Sequence, residues 1–125
     1  VDSREWSLEV LERFEGVQKE TQTLIFDRSE ARDFLYEELA MAKHCEYLCS
    51  IIKAKITPEG RSKEIRDNST LIQLDNNSEY QELYLEGLEH RRNVNEANKN
   101  IQMYDDSIRI KQSELTLLSN MAQVN

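Results

Sequence analysis

An all-α chain is what this sequence predicts: a long, coiled-coil-like antiparallel hairpin of two helical arms joined by a short helical elbow. Three observations lead there. Turn residues are scarce, with 3 Gly and 1 Pro in 125 residues, against the usual ~7% and ~5%. A β-sandwich or barrel needs a turn signal every ~8–12 positions, which this chain cannot supply. Two long stripes of mostly apolar residues then recur at steps of three and four, the period of a helix seam. Between them lies one short interruption that holds the single proline, Pro58.

The first arm is expected over 3–56. Its stripe runs Val10, Phe14, Val17, Thr21, Leu24, Arg28, Ala31, Leu35, Leu39, Ala42, Cys45, Cys49, Ile52 and Ile56. Thr21 and Arg28 are its polar members. Asp27-Arg28-Ser29-Glu30 is either a break, with Ser29 capping a new helix, or a polar layer inside one helix. The expected organisation is a helix near 3–26 and another near 29–56, fused or broken at 27–29.

The elbow is expected over 57–76. Thr57 before Pro58 reads as a helix start, whereas Gly60 two residues later argues for a tight corner. Ser62 is placed to cap a short helix carrying Ile65, Leu71 or Ile72, and Leu74 inward, which Asp75-Asn76-Asn77-Ser78 ends. Ser78 with Gln81 has the form of a capping box opening the second arm, 77–122. That arm's stripe is Tyr80, Leu83, Gly87, Arg91, Val94, Ala97, Ile101, Tyr104, Ile108, Lys111, Leu115, Leu118 and Ala122.

The whole length, 1–125, amounts to a single helical domain. Apolar residues also flank both seams: Phe34, Met41, Leu48 and Ile51 on the first arm, Tyr84, Leu88 and Leu117 on the second. A two-helix hairpin cannot cover them, so a second copy is expected, giving a homodimer or a higher multi-helix oligomer.

Composition removes several function classes. Three scattered glycines, Gly16, Gly60 and Gly87, make no phosphate cradle. No run approaches the ~18 apolar residues of a membrane span and no basic-then-apolar leader opens the sequence. Cys45 and Cys49, four apart, are expected as free thiols in a reducing cytoplasm. Asn68-Ser69-Thr70 and Asn76-Asn77-Ser78 match the glycosylation acceptor pattern and are expected to be unused.

Chemistry is sparse. If position 56 faces 77, His44 and Cys45 face the neighbourhood of Gly87 to His90. Cys45 and Cys49 share a helix face, so two thiolates and a facing imidazole approach a tetrahedral metal set. Both cysteines lie on the apolar seam, however, where a free Cys behaves as a small hydrophobe. The expectation is therefore no metal and no cofactor. The Glu-x-x-His motif of di-iron bundles is absent, because Met41 and Gly87 stand three before the two histidines. Glu86 and His90 read as an i,i+4 surface pair. No nucleophile has a partner near it in sequence, so no enzyme is expected.

Charge is unevenly spread. The net charge is −8, from 16 basic and 24 acidic side chains. The segment 51–75 alone leans basic, through Lys53, Lys55, Arg61, Lys63 and Arg66. These five are the candidate contacts for a partner or a nucleic acid. Two acidic rows, Asp27, Glu30, Asp33, Glu37 and Glu79, Glu82, Glu86, Glu89, repeat at helical spacing. Their carboxylates lie ~5–6 Å apart, a spacing not far from that of strand phosphates.

Gly60-Arg61-Ser62-Lys63-Glu64-Ile65-Arg66-Asp67, followed by Leu71, Leu74, Asp75, Tyr80, Arg92 and a long heptad-like arm, carries a resemblance. Over residues 34–118 the chain resembles small helical coiled-coil proteins of phage and prophage replication–recombination gene modules. Glu64, Arg66 and Asp67 match their pattern, and Arg61 stands at its basic position. The resemblance implies a phage accessory protein without cofactor or catalytic residues, resident in the bacterial host cytoplasm. It also implies action through contacts with a recombinase, an annealing protein or a single-strand-binding protein. An acidic, DNA-mimicking inhibitor of a host nuclease or defence protein is the alternative. Direct single-stranded DNA binding through the basic elbow is a third. Within the motif, Arg66 is expected to pair with Glu79 or Glu82 and lock the elbow.

Overall fold

The computed structural model describes residues 3–124, and the side chains of 7–121. It contains α1 (Ser3–Lys55), α2 (Lys63–Asp75) and α3 (Ser78–Val124), with no strand among the described residues. The predicted class holds: an all-α helical hairpin of α1 and α3 with α2 between them. No helix is long and apolar enough to cross a membrane. Every side chain of the two predicted stripes is buried or half-buried, except Ala122, which lies outside the described side chains.

Residue contacts divide the chain into two compact units, Val1–Phe34 with Ala97–Asn125, and Leu35–Glu96. In the first, Val10, Val17 and Leu118 form a buried apolar cluster against Phe14, Leu115 and Met121. Thr21 is also buried, and its hydroxyl donates to the Val17 carbonyl at 2.8 Å. That back-bond lets a polar residue occupy a seam position without an unsatisfied group. Arg13 reaches Glu114 at 3.4 Å, and Lys111 pairs with Glu20.

The question of a break at 27–29 is settled in favour of one helix. Residues 27–30 are helical throughout, and Ser29 is an exposed interior residue rather than a cap. Arg28 instead makes a polar layer, with its Nη1 2.9 Å from Asp105 Oδ1; Arg32 approaches the same carboxylate at 3.9 Å.

In the second unit the backbones of α1 and α3 approach closely. Ala42 is fully buried, and a Cβ on Gly87 would sit 3.3 Å from the Cβ of Cys45. Glycine at 87 thus lets the helices close up where a side chain would hold them apart.

The corner before α2 turns on Gly60, whose φ of +134° few other residues adopt. A Cβ there would also meet Ile65 Cγ2 at 2.3 Å. The predicted cap is present: Ser62 is extended and its Oγ accepts from Ile65 N–H at 3.2 Å. Asn76 closes the helix with its N–H on the Ile72 carbonyl at 3.1 Å.

Three elbow expectations are corrected. The cap of α3 is Asn77, whose Oδ1 accepts from Tyr80 N–H at 2.8 Å, while Gln81 Nε2 donates to the Leu74 carbonyl. Ser78 is therefore already inside the helix and forms no capping box. Leu74 is the one buried apolar residue of α2. Ile65, Leu71 and Ile72 face outward at 54%, 59% and 60% exposure, because the inner side of α2 is mostly polar, with Ser69, Thr70 and Gln73 half-buried. Finally, Arg66 does not lock the elbow through Glu79 or Glu82. It lies one turn inside α2 and reaches back to the Arg61 carbonyl at 3.4 Å. The elbow is tied instead by Gln73 Nε2, which donates to Thr57 O at 3.1 Å, and by Glu59 N–H, which donates to Ser69 Oγ at 3.2 Å.

Candidate functional site

Two features of the second unit carry chemistry. The first centres on His90, half-buried on α3. Its Nδ1 faces Glu38 of α1 in a short hydrogen bond, and Glu38 Oε2 also accepts from Asn93 Nδ2 at 3.2 Å. A carboxylate only accepts, so Nδ1 carries the proton and Nε2 is the nitrogen left for other partners. Nε2 points to Glu86, 3.7 Å from its Oε1. Cys45 completes the group: ligand atoms of Cys45, Glu86 and His90 all lie within 4.8 Å of one another.

The environment sets opposite shifts on the central pair. The hydrogen bond to Glu38 raises the His90 pKa above its ordinary 6.5, against the opposing effect of burial. The same bond lowers Glu38 below its ordinary 4.5. Burial, then the neighbouring Glu86 charge, pushes the Cys45 thiol up. Cys49 is raised mainly by burial, and its sulfur faces the Tyr80 carbonyl at 4.0 Å.

These shifts predict how stability follows pH. The raised His90 pKa gives a contribution that is full below 6.5 and fades as pH rises through the higher folded value. The lowered Glu38 pKa gives one that holds above 4.5 and fades as pH falls through the lower folded value. Melting curves in chelator-containing buffer should therefore show the greatest advantage of the native chain over Glu38→Gln between about pH 4.5 and 6.5. That advantage should shrink on the alkaline side as His90 loses its proton. An advantage constant from about pH 5 to 9 would contradict the assignment.

The sequence-level cluster of His44, Cys45, Cys49 and His90 is only partly assembled. Cys45 and His90 meet as the register predicted, whereas Cys49 turns towards Tyr80, and His44 is exposed. Glu86 is more than an exposed i,i+4 partner, because it also faces Cys45. Glu38 was missed. The available signal was its place seven residues before Cys45 on the same face of α1, a spacing that marks proximity but not pairing.

The second feature is the basic elbow. Lys53, Lys55, Arg61, Lys63 and Arg66 are all exposed. None forms an ion pair with a carboxylate among the described residues, although Arg91 grips Glu46 with two bonds of 2.7 and 2.8 Å elsewhere in the unit. In the same segment the outward Ile65 and Ile72, with Glu59, Asn68, Ser69 and Gln73, line an open groove. The second acidic row is partly neutralised: Glu89 pairs with Arg92 at 3.1 Å, and Glu86 faces His90.

No protein-family model matches the chain, and comparison with curated proteins and with solved structures finds no match.

Proposed function

We propose that the chain is a non-enzymatic helical adaptor that acts through protein contacts in DNA recombination or replication, with the elbow as its contact surface. The observation that carries this reading is the pairing of outward Ile65, Leu71 and Ile72 with five unpaired, exposed cations. Apolar residues anchor a contact by leaving water, and a rim of unscreened charge selects and steers the partner. Such a surface suits an acidic protein segment bearing apolar side chains. The resemblance of Gly60–Asp67 to phage recombination-module proteins favours a recombinase, an annealing protein or a single-strand-binding protein as the owner of that segment. Exposed Phe34 and Leu117 in one unit, and Met41, Tyr84 and Leu88 in the other, favour self-association as well.

Size-exclusion chromatography with light scattering, with and without a single-stranded oligonucleotide at ~50 mM salt, makes the first test. An oligomer that leaves the oligonucleotide behind is expected. Calorimetry against purified proteins of the three classes should then give binding that Lys63→Glu with Arg66→Glu removes. Comigration with the oligonucleotide, lost in the same variant, would replace the adaptor reading by direct DNA binding. Salt-sensitive competition with DNA for a host nuclease would replace it by the acidic decoy.

A further inference from the structure

We propose that Cys45, Glu86 and His90 form a binding site for a divalent transition-metal ion of the zinc class, with Glu38 as the residue that orients His90.

The donor set is the first argument. A thiolate, a carboxylate and an imidazole nitrogen are the ligand types zinc takes, at ~2.3, ~2.0 and ~2.0 Å. Around a tetrahedral ion those bond lengths put ligand atoms about 3.3–3.5 Å apart. His90 Nε2 and Glu86 Oε1 already stand at 3.7 Å, and the largest separation in the trio is within 4.8 Å. Closing the set takes movements of about an ångström.

The second argument is the state of the ring. A metal-binding histidine needs one nitrogen held by a second group so that the other presents its lone pair. Glu38 does this at Nδ1, and is itself steadied by Asn93. Nε2, the nitrogen that turns to Glu86, is thus the one left for an ion. A pairing made only to satisfy a half-buried histidine would not require a thiol and a second carboxylate on its far side.

Backbone placement is the third. Gly87 allows the close approach that brings Cys45 of α1 against Glu86 and His90 of α3. An open groove of about 240 Å³, lined by Ala40, Met41, His44, Cys45 and Glu86, leads from solvent to the thiol. Three protein ligands leave the fourth position of a tetrahedral ion for water or a further donor. Each ion bound displaces the Cys45 thiol proton and, where His90 is charged, the proton on its Nε2, so uptake is accompanied by proton release.

Cobalt(II) is the probe, because its thiolate charge-transfer band reports a Co–S bond directly. Titration of the full chain is expected to give one ion per chain with that band. Cys45→Ser should abolish it, Cys49→Ser should leave it, and Glu38→Gln should weaken affinity by about 10–100-fold with the band still reached at saturation. A second measurement needs no variant: Zn²⁺ should slow alkylation of Cys45 in the native chain while leaving Cys49 unaffected. Absence of the band at millimolar cobalt would overturn the site. So would a band that survives Cys45→Ser or disappears with Cys49→Ser, or equal protection of both thiols.

Discussion

Leu118→Ala is expected to cost about 2–4 kcal/mol of stability, the usual range for an Ile, Leu or Met truncated inside a core. Leu118 is 5% exposed and fills the centre of the cluster with Val10 and Val17. Phe14, Leu115 and Met121 flank that cluster and are only partly buried themselves. Removing the isopropyl end of the side chain loses its transfer free energy and leaves a void between the two helices. For a chain of this size the loss corresponds to a fall of roughly 10 °C in melting temperature. Thermal melts followed by circular dichroism would read it, with Leu117→Ala as the control. Leu117 is 60% exposed, and its truncation should change stability by less than about 0.5 kcal/mol in a monomer. Equal losses from the two variants would mean that Leu117 is covered by a partner.

The second large effect is expected at Asp105, and its sign depends on what replaces the pair. Asp105→Ala leaves Arg28, whose side chain is 23% exposed, without its carboxylate, and leaves Arg32 beside it. Stranding a fully buried charge costs ~3–5 kcal/mol, and partial hydration here brings the expectation to about 1–3 kcal/mol. Arg28 Nε is already buried without a partner, so the pair is imperfectly satisfied even in the native chain. Replacing both residues, Arg28→Leu with Asp105→Leu, should therefore be neutral or stabilising, because an apolar layer removes the desolvation cost altogether. Urea melts of the two singles and the double would close the cycle. A double variant less stable than the native chain would show that the ion pair itself stabilises. The contribution of the polar layer is then to register: an unbroken apolar seam tolerates a slip by one turn, and a single Arg–Asp crossing does not.

How far the sequence could be read follows from the same physics. The seams were legible because helical periodicity is summed over many positions, so Thr21, Arg28, Arg91 and Lys111 did not obscure it. Ser62 and Gly60 were legible because a cap and a positive φ are local demands with few chemical solutions. Asn77 and Ser78 were not separable, since both residue types cap well and boundaries shift by one residue at no cost in pattern. The orientation of α2 was misread for a different reason. Thirteen residues hold too few turns for apolar count to decide a face, and hydrogen bonds from Gln73 and Gln81 turned Ile65 and Ile72 outward. The His90 site needed distances: Glu38 and His90 are 52 residues apart, and only an accurate register makes them partners.

The thin attachment of α2 has a consequence for how the molecule breathes. One buried side chain, Leu74, and a few side-chain hydrogen bonds hold this helix in place. The free energy needed to lift it away is accordingly far below that of parting α1 from α3. Backbone amides in α2 will exchange with solvent through a local opening, while those facing Ala42 and Val94 wait for a larger event. The segment between Lys55 and Ser78 is thus expected to open before the paired helices that carry it, which amide exchange on the native chain would read.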